Sequence, residues 1–125
     1  MNVFLDTHIV VWLYAGLTDK FNPKIKNILD ESELSISPIV RLELTFLNEI
    51  KRIKVSSDKI VNELSKQVGL TEVSDPIDSI TQSALEFSWT RDPFDRLLIG
   101  HAEMRGYQFV TKDRTIQENF KRSIW

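Results

Sequence analysis

Short apolar runs alternate with amphipathic stretches along this chain. Val3-Phe4-Leu5 is an unbroken apolar run, the pattern of a strand buried on both faces. Asp6-Thr7-His8 leads from it into Ile9–Tyr14, which predicts a turn and a helix closed by Gly16. Asn22-Pro23 joins an N-cap residue to a proline at the first helical position and predicts a helix to about Glu31. Leu34-Ser35-Ile36 predicts a second strand, and Ser37-Pro38 repeats the cap-and-proline pair for a helix to about Lys51. Further helices are predicted from Ser57 to about Gln67, from Pro76 through Phe87, and from Asp92-Pro93 to Arg105, with Gly106 as the last one's cap. Leu70–Val73 and Tyr107–Thr111 read as strands, and a short helix from about Arg114 precedes a tail ending in Trp125.

Helices thus alternate with short strands, and two consecutive helices precede the third strand. The pattern predicts an α/β fold with a parallel sheet and helices on both faces. At 125 residues the length predicts a single domain over residues 1–125. The chain is 42% hydrophobic with thirteen Ile, enough for a real core, which excludes disorder. Sixteen basic and eighteen acidic residues give a net charge of −2, without a charged tail. That balance speaks against a sequence-reading DNA-binding domain and against a polybasic membrane patch. The longest uncharged stretch, Thr7–Thr18, is too short to span a bilayer. Asp6 precedes it where a signal peptide carries positive charge, so the expected address is the cytoplasm.

The absence of cysteine excludes disulfides, thiolate nucleophiles and thiolate metal sites. His8 and His101 are the only histidines and are too far apart for HxH or HExxH zinc sites. The four glycines form no dinucleotide or P-loop motif. Catalysis must then rest on Asp and Glu, or on a metal they hold. Open α/β sheets bind ligands at the carboxyl ends of their strands. Asp6 directly follows the first predicted strand, and Asp113 follows the strand ending at Thr111. Each also suits an N-cap of the helix that comes next. Glu43 lies past the first turn of its helix, so capping does not explain it. It shares a face with the stripe Ile39, Leu42, Phe46, Leu47 and Ile50. Burial against an arginine or a place at the rim of that stripe is the alternative to a functional role. Asp92 is fully explained as an N-cap, whereas Asp95 also borders the stripe of Phe94, Leu98 and Ala102. Gly100 and Ala102 imply a close neighbour for this helix. Four converging carboxylates would require protons, cationic side chains or a divalent ion. All-oxygen ligation suits Mg²⁺ or Mn²⁺, and such ions activate water against phosphodiesters.

Leu5-Asp6-Thr7-His8 with Trp12-Leu13, Ser37-Pro38 with Glu43-Leu44, Asp92-Pro93-Phe94-Asp95-Arg96-Leu97-Leu98-Ile99 and Val110-Thr111-Lys112-Asp113 together resemble the PIN domain. More narrowly they resemble the VapC-type toxins of bacterial toxin–antitoxin pairs, over nearly the whole chain and in order. The resemblance implies a three-layer α/β/α fold with a central parallel sheet of four to five short strands. It implies a Mg²⁺- or Mn²⁺-dependent endoribonuclease, often acting on tRNA or rRNA. A homodimer is implied too, as is a cognate antitoxin whose C-terminal segment blocks the site. The family's acids fall on Asp6, Glu43, Asp95 and Asp113, as catalytic and metal-binding residues, and the polar residue before the third acid falls on Asp92. The chain departs from many members at Gly100, where some have Ala, and at Ser88–Arg91, where some have His.

Thr7 and Thr111 are supporting candidates, placed to hydrogen-bond the acids or to fill ordinary turn and strand roles. Arg91, Arg96, Lys112 and Arg114 flank the acids and are candidates for RNA phosphate contacts; Arg96 equally suits a charge partner for the acids. His8 is expected to make a helix-start hydrogen bond and His101 to be packed and satisfied. Trp12 and Phe46 are expected in core or dimer contacts. Two other classes compete: a non-catalytic PIN-like binding module, and a receiver-like signalling domain. The latter needs an acidic pair after the first strand, where Asp6 stands alone, and an Asp after a central strand, which Leu34–Ile36 lacks.

Overall fold

In the computed structural model, which describes residues 1–125, the first strand of the chain becomes the middle strand of the sheet. β1 (Asn2–Leu5) pairs in parallel with β2 (Glu33–Ile36) on one side and β4 (Gln108–Val110) on the other. β3 (Thr71–Glu72) extends the sheet beyond β2, and β5 (Ser123–Ile124) extends it beyond β4. The order is β3-β2-β1-β4-β5, all parallel. Val3, Phe4 and Leu5 are buried, as are Phe109 and Val110 beside them, because helices cover both faces.

The cap signals act where the sequence places them. α1 (Thr7–Ala15) ends on Gly16 at φ 72°, and α6 (Pro93–Arg105) on Gly106 at φ 68°. Asn22 caps α2 (Pro23–Glu31), Ser37 caps α3 (Pro38–Glu49) and Ser56 caps α4 (Ser57–Val68) through side-chain oxygens. α5 (Ile77–Ala84) lies against α6 so closely that a methyl group on Gly100 would sit 2.8 Å from Ala84 Cβ. α7 (Arg114–Asn119) joins β4 to β5. No helix is long and apolar enough to cross a membrane.

Two expectations change. The tail ending in Trp125 contains a strand: Ser123-Ile124 pairs with Phe109-Val110 and makes the fifth strand of the sheet. The face of α3 that packs inward carries Val40 and Leu44, not the stripe Leu42, Phe46 and Ile50. Those three side chains remain 59%, 44% and 47% exposed. Helix α3 is apolar on two faces, and the sheet selects one.

His101 is packed and satisfied, as expected. It is fully buried, with Nδ1 2.7 Å from Ser37 Oγ and Nε2 2.9 Å from Asp75 Oδ2. The Asp75 carboxylate accepts only, so it fixes the proton on Nε2, and Nδ1 accepts from the Ser37 hydroxyl. Burial lowers the pKa of His101 and keeps it neutral.

Candidate active site

The chain runs outward from β1 through β2 to β3 and then returns to β4 on the other side of β1. The direction reverses there, and at such a point the loops after neighbouring strands part to leave a crevice. Asp6 follows β1 and Asp113 lies just beyond β4, so both stand at this crevice. Asp6 Oδ1 accepts from the Thr7 amide at 2.7 Å, and Oδ2 accepts from Thr111 Oγ1 at 2.6 Å. The Asp6 amide itself donates to the Val110 carbonyl. Asp113 caps α7 through the Ile116 amide, and its own amide donates to Thr111 Oγ1. Both cap readings are therefore present in the structure, and neither removes these acids from the crevice.

Glu43 reaches the same place from the second turn of α3. It is half-buried, accepts from Thr7 Oγ1 at 2.5 Å, and has no arginine partner. Asp92 Oδ1 caps α6 by accepting from the amides of Phe94 and Asp95. Asp95 then projects from the first turn of α6 with no hydrogen bond to its carboxylate. A pocket of about 220 Å³ is lined by Asp6, His8, Glu43, Asp92, Asp95, Lys112 and Asp113, with no apolar residue among them.

Five carboxylates and two basic groups make this pocket short of positive charge. Burial raises the Asp6 carboxyl above its ordinary range, against the hydrogen bonds from Thr111 and Thr7. Glu43 is raised first by burial and further by the charge of Asp6, while the Thr7 hydroxyl and His8 oppose the rise. Asp95 is pushed up to about 7, first by burial and then by Asp6, Asp92, Asp113 and Glu43. No three of these groups meet around one point at ligand distance. Oxygens of Asp6, Glu43 and Asp113 are already held by neighbouring hydroxyls and amides, and charged acids this close repel one another. The pocket is an acid-lined basin rather than a finished cage. Its all-oxygen donors and missing counter-charge fit a hard divalent cation such as Mg²⁺ or Mn²⁺.

The remaining candidates divide. Thr7 and Thr111 are buried and hydrogen-bond Glu43 and Asp6 respectively. Lys112 lines the pocket, whereas Arg114 lies in an adjoining cleft and Arg91 is exposed on the turn before α6. Arg96 is not a charge partner of the acids. Its guanidinium donates to the carbonyls of Ala84 and Leu85 at 3.0 Å each, closing the C-terminal end of α5. His8 makes no helix-start hydrogen bond and instead stands exposed at the pocket. Its position two residues after Asp6, just past the end of β1, is the signal that could have placed it there.

The PIN domain model matches residues 3–121. A curated relative, Ribonuclease VapC22 of Mycobacterium tuberculosis, is 29% identical over 119 residues, covering 94% of this chain and 91% of the relative. The fold matches a chain of the VapBC2 complex of Rickettsia felis, solved with a promoter DNA fragment, at TM-score 0.69 and 17% identity. That match covers 99% of this chain and 96% of the other. A toxin–antitoxin complex from Klebsiella pneumoniae gives TM-score 0.66 and 11% identity, over 98% of this chain and 96% of its own. The chain belongs to the PIN domain family, and its likeness within that family is to VapC-type toxins. The receiver-like alternative falls with that membership.

Proposed function

We propose that residues 1–125 act as one PIN domain, a cytoplasmic Mg²⁺- or Mn²⁺-dependent endoribonuclease toxin held off by a cognate antitoxin. The observation that carries this reading is the single basin in which Asp6, Glu43, Asp95 and Asp113 line the crevice beside β1 and β4. These four would hold the cation, with Asp92 at their edge. When bound, the cation supplies positive charge against a phosphodiester and acidifies water beside it.

The chain's own groups account for the rest of the hydrolysis. Asp6, fixed by Thr7 and Thr111, is the rigid member of the set. Asp95, with no hydrogen bond to hold it, is the adaptable one. Lys112 and His8 stand at the basin and face incoming phosphate oxygens. The substrate is RNA, with tRNA or rRNA as the expected class. The acids also explain inhibition: an antitoxin Arg placed among them would satisfy the carboxylates bidentately and replace the cation. The exposed face of Leu42, Phe46 and Ile50 is the surface for a homodimer.

The test is cleavage of a synthetic RNA by purified protein in Mg²⁺, in Mn²⁺ and in EDTA. Cleavage is expected with either ion and none in EDTA, and Asp95→Asn should remove it. Equal cleavage in EDTA, or none with either ion, would overturn the proposal.

A further inference from the structure

Beyond Lys112 the acid basin gives way to a second cleft of opposite character. It holds about 530 Å³ and is lined by Trp12, Lys20, Lys112, Arg114, Gln117 and Trp125. None of these is acidic, and Lys112 lines both spaces. The Trp12 ring carries two ammonium groups, Lys20 Nζ at 5.1 Å and Lys112 Nζ at 5.0 Å from its centroid. Such contacts are favourable and bias both flexible side chains toward this ring. Trp12 is itself held by Phe21 and Trp125, at centroid separations of 6.0 and 6.3 Å.

These cations have no anionic partner. Arg41 pairs with Asp58 and Glu72, Arg105 with Asp75, and Arg122 with Glu103. Lys20, Lys112 and Arg114 form no ion pair. Most of the chain's sixteen lysines and arginines are likewise unpaired; what sets these three apart is that they gather in one cleft beside the acid basin. An anion entering the cleft would meet both ammonium groups, neither of which is neutralised by an ion pair. Half-exposed Trp125 offers an aromatic face at the same cleft.

We infer that this cleft binds the single-stranded RNA segment that adjoins the scissile phosphate. Successive phosphates lie against Lys20, Lys112 and Arg114, and an unpaired base packs on the tryptophans. Lys112 marks the passage from strand binding to hydrolysis. The inference rests on the nuclease reading above and adds where the strand lies and which residues hold it.

The test is fluorescence anisotropy with a short labelled oligouridine, in EDTA, as salt is raised. Lys20→Gln/Arg114→Gln leaves the basin's lining intact. It should weaken binding about ten-fold and reduce the slope of log affinity against log salt by about 1.4, which is about 0.7 for each lost contact. Lys59→Gln/Lys66→Gln on α4 removes the same charge from side chains that do not line the cleft and should change neither. With metal present, the cleft variant should raise KM for RNA and spare kcat. An unchanged slope in the cleft variant, or an equal loss in the α4 control, would overturn the inference. So would a variant that handles RNA normally but no longer binds an acidic antitoxin peptide, because the cleft would then be a protein-docking surface. If the cleft variant fails while the parent still cleaves, the nuclease reading stands and the strand path is supported. A parent that neither binds nor cleaves RNA sinks both.

Discussion

Thr111 donates a 2.6 Å hydrogen bond to Asp6 across the boundary between β1 and β4, joining residues 105 positions apart in the chain. The same hydroxyl oxygen accepts from the Asp113 amide at 3.0 Å. One buried threonine therefore sets the spacing of two acids that the sheet brings to its carboxyl edge. Thr111→Val keeps the shape of the side chain and removes both bonds. It should weaken Mn²⁺ binding by about ten-fold, the usual cost of losing a group that orients a ligand. It should also lower stability by about 1–3 kcal/mol through the unpaired buried groups. Thr111→Ser should restore both. Calorimetric Mn²⁺ titration and urea unfolding read the two effects, and a valine variant with parental metal affinity would separate Thr111 from the site.

Asp95 carries the clearest pH signature. Its ordinary value is 3.8 and the fold raises it to about 7. Between those values the folded state holds a proton that the unfolded chain has released. Stability from this group is therefore full below about pH 4 and is lost as the pH rises to about 7. Asp95→Asn should make the metal-free protein more stable at pH 8 by roughly 2 kcal/mol, discounted for solvent access. The gain should vanish near pH 4. Saturating Mg²⁺ should stabilise the parent and not the variant. An Asn variant that is equally stable across this range in urea unfolding would show that the pocket's charge strain is absent.

Much of this was legible in the residues, for identifiable reasons. Asn22-Pro23, Ser37-Pro38 and Asp92-Pro93 are local signals, complete within two residues, and each opens a helix where read. The placement of Asp6 and Asp113 follows from strand ends, which the apolar runs mark. What escaped depends on the path of distant chain. β5 is two residues long and exists because β4 offers an edge. The inward face of α3 could not be told from its outward face, since both are apolar. Arg96 stands among acids in sequence, yet its long side chain finds the end of α5, whose position is set by the packing of Gly100 on Ala84.

That packing gives a prediction of its own. A Cβ at residue 100 would lie 2.8 Å from the Ala84 amide nitrogen and 2.9 Å from its Cα, so backbone and not a pliable side chain must yield. The usual helix preference for Ala over Gly, worth about 1 kcal/mol, is here opposed by overpacking. Gly100→Ala should destabilise the protein by about 1–3 kcal/mol net, measured by urea unfolding. A variant as stable as the parent would show that α5 moves aside freely.

The outward face of α3 leads to the last prediction. Leu42, Phe46 and Ile50 are spaced as one helical stripe, and Phe46 meets Phe94 of α6 at a centroid separation of 6.1 Å. Ile77 and Leu85 on and beside α5 are each 59% exposed, so the apolar surface is not confined to one helix. Soluble proteins seldom leave such patches in water. Burying the stripe against a second copy would remove it from solvent at about 25 cal/mol for each Å². Leu42→Glu/Ile50→Glu places charge on that face without touching Val40 or Leu44, which fill the core. Exposed substitutions of this kind usually alter monomer stability by no more than about 0.5 kcal/mol. Light scattering at tens of micromolar should therefore report twice the 14.5 kDa chain mass for the parent and the single-chain mass for the variant. The parent's melting temperature should rise with concentration and the variant's should not. A parent that runs as a monomer, or a variant that stays paired, would show that this face is not where two copies meet.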